Sequence, residues 1–84
     1  MQNIEILGLV AATFTTAAFI PQVYKVWKEK SAKDISLTMY LILTIGLSLW
    51  LIYGVKIQSL PVSLANGITL LLVLFMIFLK LRHR

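Results

Sequence analysis

Three long apolar runs, residues 6–26, 37–55 and 60–79, fill most of an 84-residue chain and leave only short polar connections between them. As a helix rising about 1.5 Å per residue, each run can cross a hydrocarbon core about 30 Å thick. The chain is 60% hydrophobic and only 13% charged, with a mean hydropathy of +0.91. That is far too apolar for a soluble domain of this size, so the sequence predicts an all-α integral membrane protein. Residues 1–84 form one three-helix transmembrane unit, with helices at about 4–27, 35–55 and 60–80. The start, Met1-Gln2-Asn3-Ile4-Glu5, lacks the basic residues of a cleavable signal, and its apolar run is longer than such signals use. The first run is therefore expected to stay in the mature protein. Without cysteine there is no disulfide, thiolate nucleophile or cysteine-ligated metal site.

A net charge of +5 would suggest nucleic acid in a soluble protein, but here its distribution reports topology and no nucleic-acid partner is expected. Lys25, Lys28, Lys30 and Lys33 flank the first connection, Lys80, Arg82 and Arg84 follow the third run, and only Lys56 lies in the second connection. The positive-inside rule then puts the N-terminus outside and the C-terminus in the cytoplasm. So strong a bias makes dual orientation improbable, and copies that associate are expected to be parallel about an axis along the membrane normal.

Within the first run, Pro21-Gln22 is the least lipid-compatible pair. Proline lacks an N–H and clashes with the carbonyl four residues back, that of Ala17, while the glutamine amide needs a partner that hydrocarbon cannot supply. Broken backbone is tolerated in a membrane where other helices or a watery cavity satisfy it. Pro21 and Gln22 therefore read as a hinge or pathway lining, the alternative being a static kink. Gly8, Ala11, Ala12, Thr13, Thr15, Thr16, Ala17 and Ala18 suit close helix approach. Of the three threonines, Thr16, one turn before Phe19, is the best candidate to touch a ligand. Asp34 or Ser36 is placed to cap the second helix.

Residues 11 apart on a helix differ by only about 20° in direction. Met39 and Trp50 thus share a face, with Leu43, Gly46 and Tyr53 close to it. The stripe reads as one wall of a path, although Trp50 and Tyr53 could instead join an interfacial aromatic belt. Trp50 lies about 8 Å inside the apolar boundary, deeper than a headgroup anchor needs. The short connection 56–59 makes the second and third helices antiparallel neighbours, and Pro61 falls in a first helical turn, where its missing donor costs little. Counting down from there puts Asn66 at about 9 Å, the depth of Trp50. An amide at that depth must bond another helix, a water or a ligand. The run 70–79 has no polar side chain and reads as lipid-facing or packing surface.

No acid–base pair, nucleophile or metal-ligand set is arranged along the chain, so neither enzyme activity nor a cofactor is expected. Glu5, Glu29, Asp34 and His83 lie at ends or in loops, which leaves no group within the spans to relay protons or hold sodium. Downhill movement of a neutral solute fits better. An aromatic face and an amide suit a sugar, with its apolar ring face and hydroxyl rim. One three-helix unit cannot enclose a path, so at least two copies are needed.

Ala18-Phe19-Ile20-Pro21-Gln22, Ser36-Leu37-Thr38-Met39-Tyr40, Leu49-Trp50-Leu51-Ile52-Tyr53-Gly54 and Leu64-Ala65-Asn66, in this order over essentially the whole chain, resemble the bacterial SemiSWEET sugar transporters of the PQ-loop and MtN3 group. The resemblance implies a bundle with helix order 1-3-2, a parallel homodimer in the bacterial inner membrane, and sugar transport by alternating access. It implies Trp50 and Asn66 as the sugar site, Pro21-Gln22 as the inner-side hinge, Phe19 and Met39 as inner gate and Tyr53 as outer gate. Some members of that group follow the tyrosine with an arginine and an aspartate. Here the loop reads Val55-Lys56-Ile57-Gln58-Ser59, without an acid, so Tyr53 and its copy, aided by Lys56 or Gln58, are expected to close the outer side. Alternatives are a PQ-loop carrier of another metabolite such as an amino acid, or a non-transporting pore or accessory subunit.

Overall fold

The computed structural model describes residues 3–83; Met1, Gln2 and Arg84, the last counted above in the basic flank, lie outside the described residues. Four helices form three spans: α1 (Asn3–Ala17) and α2 (Phe19–Glu29) make the first, α3 (Leu37–Lys56) the second and α4 (Leu60–His83) the third. All three spans are long and apolar enough to cross a membrane. The longest dimension of the bundle, 43 Å, matches a bilayer of about 40–45 Å with its headgroup regions.

The first span, expected over about 4–27 with a hinge or kink at Pro21-Gln22, comes as two helices. It breaks at Ala18 and then runs on to Glu29. The break follows from Pro21, which has no N–H to offer the Ala17 carbonyl. Ala18 still donates to the Phe14 carbonyl at 3.1 Å and keeps φ −61°, ψ −25°, so the chain passes the break without unwinding. Lys30 then stops α2 in the left-handed region, at φ 53°.

Of the two expected caps for α3, Ser36 fills the position: its hydroxyl accepts from the Met39 N–H at 3.1 Å. A tight turn through Gln58, at φ 57°, returns the chain into α4, and Ser59 Oγ accepts from the Val62 N–H at 3.3 Å. The antiparallel pair α3 and α4 closes down at Gly54, where a Cβ would stand 2.7 Å from Val62 Cγ1.

Span three lies in the middle, giving the order 1-3-2. Among the described residues α4 packs against α1, α2 and α3, whereas no Cα of α3 comes within 8 Å of one in α1 or α2. The buried apolar side chains gather towards the end that carries the Lys28–Asp34 loop, here the basic end: Val23, Val26, Ala32, Tyr40, Val73, Met76 and Leu79, with Leu47 nearer mid-depth. Part of the 70–79 run is thus core rather than lipid surface. Lys80 Nζ donates to the Ala32 carbonyl at 2.8 Å and ties the end of α4 to the first connection. Towards the other end α1 buries no residue and meets α4 through Gly8 against Pro61. Thr16 and the buried Thr69 join α1 to α4 with hydroxyls 2.9 Å apart, a bond of a kind worth about 0.6 kcal/mol between membrane helices.

Candidate functional site

A central α4 with α1 and α3 on either side leaves a trough between the outer two, and the sequence fills it unevenly. On the α1 side Gly8, Ala11, Ala12 and Thr15 present almost no side chain; Pro61, Val62, Ala65 and Asn66 of α4 form the floor; Trp50 of α3 is the far wall. The result is an open cavity of about 300 Å³, at the lower end of the range of about 300–1,000 Å³ used for small-molecule sites. Small residues repeating at helical spacing make the room, and one indole bounds it. No carboxylate, histidine or cysteine lies in the lining.

Trp50 and Asn66, paired by depth in the sequence, do share this cavity. Asn66 departs from expectation in one respect: its amide N–H donates to the Val62 carbonyl one turn back on its own helix, at 2.8 Å, and not to another helix. Helical carbonyls can accept a second donor, so an amide at this depth finds a partner without leaving its helix. Among the described residues Asn66 makes no other side-chain hydrogen bond, so its carbonyl oxygen retains its acceptor capacity.

Trp50 also bounds a second cavity, of about 340 Å³, with Gly46, Leu49 and Tyr53. Its ring meets that of Tyr53 edge to face, 5.5 Å between centroids and 86° between planes, the arrangement the aromatic quadrupole favours. Met39, Trp50 and Tyr53 are each about half exposed, so the α3 stripe is an uncovered face of the protomer. Nothing lies within 4 Å of the position a Gly46 Cβ would take.

The other expected residues fall elsewhere. Thr16 is outside the trough: it lines a neighbouring groove with Leu9, Ala12, Thr13 and Ile68, and its hydroxyl is engaged by Thr69. Thr15 is the threonine of α1 that faces Trp50 and Asn66, its hydroxyl bonded to the Ala12 carbonyl at 3.2 Å. The series Gly8, Ala11, Thr15, spaced three and four apart, carried that signal. Phe19 packs half-buried against the core near the break, while Met39 is 51% exposed. Gln22 has the partner its amide requires, because the buried Tyr40 hydroxyl donates to Gln22 Oε1.

Three membrane-length helices, a proline break in the first, and a trough lined by one aromatic face and one amide define a small helical membrane protein with an open, uncharged cavity. The sequence profile of the PQ loop repeat matches residues 4–63. A protein of Bradyrhizobium diazoefficiens named sugar transporter SemiSWEET is 46% identical over 80 residues, 95% of this chain and 93% of its own. One of the same name from Leptospira biflexa is 42% identical over 81 residues, 96% of this chain and 93% of its own. The crystal structure of a bacterial homologue of SWEET transporters superposes with a TM-score of 0.94 at 44% identity, covering 99% of this chain and all of that one. SemiSWEET in the inward-open conformation gives 0.88 at 36% identity, over 96% and 87%. The chain therefore belongs to the PQ-loop family, as a homologue of the SemiSWEET sugar transporters and a multi-pass membrane protein with three spans.

Proposed function

We propose that this protein is a facilitative uniporter of a mono- or disaccharide that works by alternating access as a parallel homodimer. The observation that carries the reading is the shared cavity of Trp50 and Asn66: an indole face suited to the C–H side of a sugar ring and a neutral amide suited to its hydroxyls. The protomer supplies a trough and not an enclosed chamber, and its α3 stripe is bare. A second copy related by a two-fold axis along the membrane normal would cover that stripe and double the site. On this reading Pro21 and Gln22 form the hinge, Phe19 and Met39 the inner gate and Tyr53 the outer gate. Thr16 supports the trough from its neighbouring groove. Seven of the eight lysines and arginines lie at the basic end or beyond it, which favours a cytoplasmic C-terminus in the bacterial inner membrane.

Reconstituted protein is expected to take up radiolabelled glucose or sucrose with saturation. Trp50→Ala and Asn66→Ala should each cut uptake at least tenfold, about 1.4 kcal/mol of lost binding or barrier stabilisation, while cross-linked dimers persist. If neither sugar moves, or both variants transport normally, the assignment fails, and competition by unlabelled amino acids then tests the other carrier reading. Trypsin outside right-side-out vesicles should spare the Lys28–Asp34 loop; cleavage there refutes the orientation.

A further inference from the structure

The two halves of the first span are fastened to different helices, on either side of the break. Above it, Thr16 is joined to Thr69 of α4 by a 2.9 Å hydroxyl pair. Below it, Gln22 of α2 is joined to α3 by the Tyr40 hydroxyl. The second link spans a gap: among the described residues no Cα of α2 lies within 8 Å of one in α3, so a long side chain must reach across. Tyr40 is well placed to do so. It is 1% exposed, its N–H donates to the Ser36 carbonyl at 3.1 Å, and its carbonyl accepts from Thr44 Oγ1 at 2.8 Å. The ring is therefore rooted in a capped, regular helix start, and its hydroxyl meets Gln22 of the first span.

We infer that Tyr40 is a positioning residue for transport, its hydroxyl latching the movable half of the first span to the second span. The inference rests on the transport reading above. A bend at Ala18 that leaves the Thr16–Thr69 link intact must swing Gln22 with α2, and the polar contact this breaks is the one to Tyr40. Breaking it is inexpensive, because Gln22 also borders a polar cavity of about 170 Å³ with Lys25, Glu29, Ser31, Lys33 and Asp34. Water entering there can meet the released amide, so the swing forfeits the net worth of one hydrogen bond and not its gross strength. A bond of this kind biases two states without freezing either.

The chain has no cysteine, so Val26→Cys, at a position 4% exposed on α2, makes a reporter of the swing. Its labelling by a small polar thiol reagent is read in proteoliposomes without sugar. Adding Tyr40→Phe, which removes only the hydroxyl, should speed labelling about fivefold, the worth of one net hydrogen bond. Gln22→Ala should do the same, the double variant no more than either alone, and Gln22→Glu, which keeps an acceptor, should label close to the parent rate. In parallel, Tyr40→Phe should change the maximal uptake rate with little change in KM. Unchanged labelling in Tyr40→Phe, or multiplied effects in the double variant, overturns the latch. Because labelling needs no substrate, it decides the latch even if the parent moves no sugar, an outcome that would instead refute the transport reading.

Discussion

At the scale of single residues, Gly54 shows how little slack the α3–α4 hairpin has. An added Cβ would lie 2.7 Å from Val62 Cγ1, a side-chain methyl that can turn away, but also 3.0 Å from the Ser63 backbone nitrogen, which cannot move without shifting the first turn of α4. Overpacking of this sort costs about 1–3 kcal/mol, against about 1 kcal/mol gained by placing alanine for glycine in a helix. The clash wins, so Gly54→Ala should lower thermal stability in detergent, whereas Gly46→Ala, with nothing within 4 Å in the protomer, keeps the helix gain without the clash and should raise protomer stability by about 1 kcal/mol. Equal melting temperatures for Gly54→Ala and the parent would show that the hairpin opens more readily than its geometry implies. The same scale explains what the sequence revealed of the site. Depth along a helix is arithmetic on a fixed rise, which is why Trp50 and Asn66 could be paired without coordinates. The partners of Thr16 and Gln22 could not be read, because Thr69 and Tyr40 reach them only once the facing sides of separate helices are known.

At the scale of elements, the broken first span is the part most directly written in the chain. The donor missing at Pro21 points to Ala17, and the helix breaks at the next residue. Proline inside a helix costs about 3 kcal/mol or more, a cost that on the proposed transport cycle suits an element that must bend. Pro21→Ala should rejoin α1 and α2, keep or raise thermal stability and leave the dimer intact, yet slow uptake about tenfold, equivalent to about 1.4 kcal/mol in the barrier. Unchanged uptake, measured beside an unchanged dimer fraction, would make the break a static kink. Span limits were less legible: α4 runs to His83, past the apolar run, because Lys80 finds the Ala32 carbonyl and the last turn is held from the first connection.

At the scale of the whole molecule, the charge pattern separates ends from interior. Glu5 sits in the first turn of α1, Glu29 ends α2, and His83 ends α4, so none lies at the depth of Trp50 and Asn66. Moving a neutral solute through such an interior requires no compensating charge, and a membrane potential does no work on it, whereas each elementary charge carried would exchange about 2.3 kcal/mol per 100 mV. The three spans were legible because their apolar length is set by the bilayer; the trough was not, because it arises from α4 lying between the other two, an order that no single run encodes. With a neutral trough, uptake should be equal with and without an imposed proton gradient or potential, and nearly flat through the histidine range of about pH 5.5–7.5. Each arm discriminates. Stimulation by an inside-negative potential would mean that a cation accompanies the solute, stimulation by an acidic exterior alone would make that cation a proton, and saturable uptake indifferent to both leaves the solute's own gradient as the driving force.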